Sequence, residues 1–145
     1  MITPTRVYVD MVGDLFHAGH VALLRAARGF GDQLVVGVLS DETVTGYKRR
    51  PIMTINERVA VIEACRYVDE VIPNSPDRVT REFLDENNLA LVVHGDDGTA
   101  EGFAEVYGPV VEAGLLRLVP RVGDISTTAL IARIRDSLVD DARKT

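Results

Sequence analysis

Two histidines three residues apart stand out as the side chains best suited to chemistry, in the run Asp10-Met11-Val12-Gly13-Asp14-Leu15-Phe16-His17-Ala18-Gly19-His20. Residues three apart at the start of a helix share a face, and the free N–H groups of the first turn point into the same space. Imidazoles and open backbone amides together suit a polyphosphate. The competing reading is that His17 and His20 only cap or pack the helix start. Zinc suits the pattern less well, because His94 is the one further imidazole and Cys65 the one thiol, too few for a thiolate-rich site.

Three further clusters carry charge. Tyr47-Lys48-Arg49-Arg50-Pro51 follows Ser40-Asp41-Glu42 by a few residues and concentrates cations in an otherwise acidic chain. It reads either as a ligand-facing loop or as a solvated basic turn. His94-Gly95-Asp96-Asp97-Gly98 offers two carboxylates and two glycines that can approach a ligand or simply turn the chain. Arg121-Val122-Gly123-Asp124-Ile125-Ser126-Thr127-Thr128 places an arginine and three hydroxyls at a helix start. Arg58 and Arg66 fall close to one helical face, where guanidinium groups match phosphate or base-edge acceptors or pair with a nearby carboxylate. Each signal is modest, and their convergence is what points to a site.

These clusters need a scaffold that gathers them. Residues 7–9 and 34–39 are short runs rich in branched apolar side chains, which suit strands buried on both faces of a parallel sheet. Between them Val21, Leu24 and Ala27 recur at helical spacing, and Gly29 and Gly31 are placed to stop that helix. The result is one strand, helix, strand crossover. The pattern repeats with a helix over 57–65, a strand at 70–72, a helix over 80–87, a strand at 89–93, a helix over 104–113 and a strand at 115–119. Ser126 or Thr127 caps the last helix, whose Leu130, Ile134 and Leu138 fall on one face. The class is α/β throughout. Ligands of such sheets bind beyond the carboxyl ends of the strands, where the clusters above lie.

The chain has 145 residues, 46% of them hydrophobic, enough for one domain spanning 1–145, which can itself be part of a longer protein. Sixteen Lys and Arg against 22 Asp and Glu give a net charge of −6, which argues against a nucleic-acid partner. No apolar run is long enough for membrane insertion, and the first residues lack the apolar core of a signal peptide, so a cytoplasmic location is expected.

Taken in order, His17-Ala18-Gly19-His20, Gly31-Asp32 leading to Gly37-Val38, Lys48, Glu57-Arg58, Arg66-Tyr67-Val68-Asp69, His94-Gly95-Asp96-Asp97 and Ile125-Ser126-Thr127-Thr128 resemble the cytidylyltransferases, most of all the glycerol-3-phosphate and phosphoethanolamine enzymes. The resemblance runs from about Val7 to about Arg135. It implies a Rossmann-like domain, usually a homodimer, that uses CTP with Mg²⁺ and releases pyrophosphate. By position, His17 and His20 would hold the triphosphate and transition state, Lys48 would bridge nucleotide and acceptor phosphates, and Arg121 with Ser126 and Thr127 would complete the phosphate cradle. Val12, Gly13, Gly19, Arg66, His94, Gly95, Asp96 and Asp97 would face the nucleotide. Asp41 and Lys48 would face the acceptor and Asp14 the acceptor or a metal, with no set of metal ligands assigned.

The sequence departs from that family at three places: Met11 and Gly13 stand where a glycine and an aromatic are usual, Gly98 where an aromatic often follows the Gly-Asp-Asp turn, and Asp124 within the Arg121 motif. These changes are expected to alter the acceptor pocket. With no Trp and only four Phe and four Tyr, an aromatic choline cage is disfavoured, leaving ethanolamine phosphate, glycerol 3-phosphate or a compact phosphonate such as 2-hydroxyethylphosphonate. An ATP-using adenylyltransferase and a non-catalytic nucleotide-binding domain are the alternatives.

Overall fold

The computed structural model describes residues 2–144. Five parallel strands form one sheet in the order β3-β2-β1-β4-β5: β1 Arg6–Met11, β2 Gln33–Leu39, β3 Glu70–Ser75, β4 Leu91–Gly95 and β5 Leu116–Val119. The chain winds outward from β1 through β2 to β3, then crosses back to β4 beside β1. Neighbouring carboxyl ends therefore diverge between β1 and β4, and a crevice opens there.

The central strands β1 and β2 form on runs rich in branched apolar residues, and alternation along β1 sorts them to two faces. Val7, Val9 and Met11 pack with Leu24 and Ala27 of α1 (Ala18–Arg28) and Ile62 of α3 (Ile55–Glu63). Tyr8 faces the opposite layer, with Leu84 of α4 (Arg81–Glu86) and Tyr107 and Val110 of α5 (Ala100–Glu112). The last helix, α6 (Thr127–Arg143), has no buried residue. Among the described residues no helix is long and apolar enough to cross a membrane.

Two local features differ from the sequence-based expectation. A five-residue helix, α2 (Asp41–Thr45), stands where only an acidic turn is legible; Ser40 caps it by accepting from Thr43 N at 3.0 Å. One turn is too short to show periodicity, although a Ser followed by two acids is a helix-start pattern. The second is a kink in α5 at Tyr107, whose φ and ψ are −121° and 19°. Pro109 lacks an N–H and crowds the carbonyl of residue 105. The neighbouring Val106 carbonyl accepts instead from Val79 N at 2.9 Å. The kink turns Tyr107 inward, where it is 4% exposed.

Candidate active site

A cleft of about 1120 Å³ lies over the carboxyl ends of β1, β4 and β5. Its size exceeds that of an ordinary small-molecule pocket and suits two ligands side by side. It has two chemically distinct ends.

The first end is built by the loop after β1 and the starts of α1 and α6. His17 is the N-cap of α1, and its Nδ1 accepts from Gly19 N at 3.0 Å, while His20 Nδ1 accepts from His17 N at 3.0 Å. The capping reading is therefore realised, but it consumes only one nitrogen of each ring. An Nδ1 that accepts from a backbone N–H must be unprotonated, so each neutral ring carries its proton on Nε2. The ring centroids are 3.9 Å apart, a spacing hostile to two imidazolium charges. Burial, then the neighbouring His17, hold His20 down to about 4, and burial followed by Arg121 lowers His17. The pair lining the cleft is thus two neutral N–H donors. Gly19 is required between them, because a Cβ there would come within 2.8 Å of His17 Cε1.

Lys48, Arg49, Arg121, Ser126, Thr127 and Thr128 line the same end. Ser126 caps α6 by accepting from Ala129 N, and Thr127 donates to the Asp14 carbonyl at 3.0 Å, which ties the α6 start to the histidine loop. Partial desolvation and then Arg49 lower the Lys48 ammonium from its ordinary range. Clustered cations and a helix start give this end the charge and the open N–H groups that suit an anion.

A buried framework stands behind it. Arg58 is fully buried and donates to the carbonyls of Met53, Val12 and Leu39, and to the Asp41 carboxylate. One guanidinium thus fastens the loop after β1, the end of β2, the start of α2 and the chain entering α3. Asp14, also buried, accepts from Ile52 N and Met53 N, each at 2.9 Å. Neither Asp14 nor Asp41 is among the residues lining the cleft, and their carboxylates hold loops together. Gly13, at φ 70°, shapes the turn from behind. Arg66 and Asp96 are exposed and lie outside the cleft lining. By contrast Val12, Gly19, His94, Gly95 and Asp97 join His17, His20, Lys48, Arg121, Ser126 and Thr127 along it.

The second end centres on Asp10, which sequence reasoning passed over. Asp10 is 9% exposed, lies on the Tyr8 face of β1, and accepts a short hydrogen bond from the Tyr107 hydroxyl. Burial raises its carboxyl above the usual range, opposed by the Tyr107 bond and by His94. His94 and Phe103 stand edge-on with centroids 5.2 Å apart, and His94 and Tyr107 are 5.6 Å apart. An acid inside an apolar strand, in Val7-Tyr8-Val9-Asp10-Met11, was the available signal. Its aromatic partners, about a hundred residues downstream, were not legible as such.

A family model described as Cytidylyltransferase-like matches residues 13–133, and the chain belongs to the cytidylyltransferase-like family. It is 42% identical over 133 residues to the ethanolamine-phosphate cytidylyltransferase of Dictyostelium discoideum, covering 90% of this chain and 37% of that protein. Against the human choline-phosphate cytidylyltransferase A it is 41% identical over 134 residues, with 90% and 36% covered. The chain thus spans a little over a third of the length of these relatives. Among solved structures it is similar to a lipopolysaccharide core biosynthesis protein of Thermoplasma volcanium, with a TM-score of 0.67, 26% identity, and 85% of this chain and all of that one covered.

Proposed function

We propose that this domain transfers CMP from CTP to the phosphate oxygen of a small phosphorylated amino alcohol, ethanolamine phosphate foremost, and releases pyrophosphate. The observation that carries this reading is the single cleft joining a cationic end to a buried carboxylate ringed by aromatics. A zwitterionic acceptor matches that polarity, its phosphate beside the histidines and its ammonium at Asp10. The names of the ethanolamine-phosphate and choline-phosphate relatives agree with it.

An acceptor phosphate is already an anion at neutral pH, so its oxygen needs no strong general base. It attacks the α-phosphorus in line, the new P–O bond forms, and the bond to pyrophosphate breaks with its electron pair leaving on pyrophosphate. His17 and His20 donate from Nε2 to oxygens that gain charge, and Lys48 and Arg121 neutralise the rest. Among the described residues no group of three or more acids, histidines or cysteines is arranged to hold a metal. Mg²⁺ would accompany CTP and offset charge on the departing pyrophosphate. A homodimer is part of the same reading, supported by the exposed Ile134, Leu138 and Val139 on α6, and so is a cytoplasmic location.

The test is pyrophosphate release from CTP or ATP with Mg²⁺, across ethanolamine phosphate, choline phosphate, glycerol 3-phosphate and 2-hydroxyethylphosphonate. Release from CTP with ethanolamine phosphate is expected. Preference for ATP would move the assignment to adenylyl transfer. Turnover of glycerol 3-phosphate or the phosphonate with none of ethanolamine phosphate would remove the amino alcohol, and binding of CTP without release from any acceptor would leave a nucleotide-binding domain.

A further inference from the structure

The ring of Phe103 rests tip-down on Gly98. A Cβ at position 98 would stand 2.6 Å from Phe103 Cζ and 3.1 Å from both Cε1 and Cε2, well inside the ~3.5 Å at which carbon atoms begin to repel. Phe103 thus occupies the volume that any side chain at 98 would need. Its centroid lies 5.2 Å from His94 and 6.4 Å from Tyr107, which is itself 5.6 Å from His94. These are the separations of rings in mutual contact, not of walls held apart around a bulky cation. Gly98, Phe103, His94, Tyr107 and Asp10 all line the same end of the cleft.

We propose that Gly98 and Phe103 form a size gauge for the acceptor's head group. Gly98 lets the Phe103 ring lie back against the loop after β4, and the position of that ring sets how wide a group can reach Asp10. What enters is a compact ammonium; a trimethylated one meets three rings already touching each other. The identity of the acceptor rests on the transferase reading above, whereas the steric relation between residues 98 and 103 does not. The contact between residues 98 and 103 gives a steric basis for the expectation that the change at Gly98 alters the acceptor pocket.

The test combines Gly98→Ala, Phe103→Ala and the double variant, with Phe103→Leu and its own double as the set that keeps apolar bulk should Phe103→Ala fail to fold. Calorimetric Kd values for ethanolamine phosphate, choline phosphate and CTP are measured on each, alongside pyrophosphate release. Phe103→Ala is expected to shift the choline-to-ethanolamine affinity ratio at least tenfold toward choline phosphate. Gly98→Ala drives the ring into the cleft and is expected to shift the ratio the other way, an effect that disappears in the Phe103→Ala background because it acts through that ring. The CTP Kd is expected to stay within about twofold in single and double variants.

An unmoved ratio, a Gly98→Ala effect that persists without Phe103, a change confined to CTP, or failure of the folded proteins to bind either acceptor would overturn the gauge. Because binding is read without turnover, the two readings fail separately. A shifted ratio with no pyrophosphate release would remove the transferase and keep the gauge, and robust release with an unmoved ratio would do the reverse.

Discussion

The two ends of the cleft are assembled by opposite strategies. At the proposed phosphate end, His17 and His20 are near neighbours in sequence, oriented by backbone N–H groups of their own helix turn, and the supporting cations come from short contiguous motifs. At the proposed head-group end, Asp10, His94 and Tyr107 come from β1, β4 and a kinked α5 and meet only where that helix packs on the sheet. The geometry of the first end is local, and its loops are clamped by one buried arginine. The second depends on how two layers pack, so small changes there are expected to retune the acceptor without touching the nucleotide.

That contrast is broken most forcefully at the clamp. Arg58→Ala removes a fully buried cation and leaves three carbonyls and the Asp41 carboxylate without it. A loss of about 3–5 kcal/mol is expected in denaturant unfolding, and a loss under 1 kcal/mol would show that the loops hold without it.

Next come the histidines, where capping and chemistry can be separated. His17→Asn keeps a side-chain oxygen able to cap α1 but removes Nε2, so the melting temperature should hold while kcat falls about a hundredfold or more. His20→Ala should cost turnover similarly, with a smaller change in the KM for CTP. Unchanged turnover in both would reduce the pair to helix caps.

At the other end, Asp10→Asn is expected to lower kcat/KM for ethanolamine phosphate about 10- to 100-fold with the KM for CTP unmoved. Because burial raises the Asp10 carboxyl, the wild-type profile for this acceptor should fall on the acid side at a pH above the usual carboxylate range, a limb the variant lacks. Equal losses toward CTP and acceptor would erase the distinction between the ends.

The smallest effect is the pH dependence of stability. His20 is held near 4 in the folded chain, against 6.5 ordinarily, so the unfolded chain binds more protons between those values. The stability linked to this group is complete above about pH 6.5 and is lost as pH falls toward 4, by about 1 to 2 kcal/mol given its partial exposure. The loss should shrink in His20→Ala; an identical pH profile would mean the ring titrates freely.

How much of this was legible follows the same division. The parallel α/β sheet could be read because strands buried on both faces must be continuous apolar runs, as 34–39 is. The His17–His20 pair could be read because a helix turn places residues three apart on one face. An acid near a motif has no label saying whom it faces, so the sequence did not show that Asp14 meets the Ile52 and Met53 N–H groups and Asp41 meets Arg58. Arg58 and Arg66 looked alike at helical spacing, yet one is fully buried and the other exposed, since the turn after α3 separates them.

By itself, then, the sequence determined the fold class, the strand order's raw material and the histidine turn at the start of α1, all of which follow from periodicity and contacts within a few residues. Only the tertiary structure decided that Asp10 meets Tyr107 and that Phe103 lies on Gly98. Those contacts depend on the crossover that sets β4 beside β1 and on the kink before Pro109 that turns Tyr107 inward. No local pattern encodes where two distant segments will touch, because that is settled by the packing of whole layers.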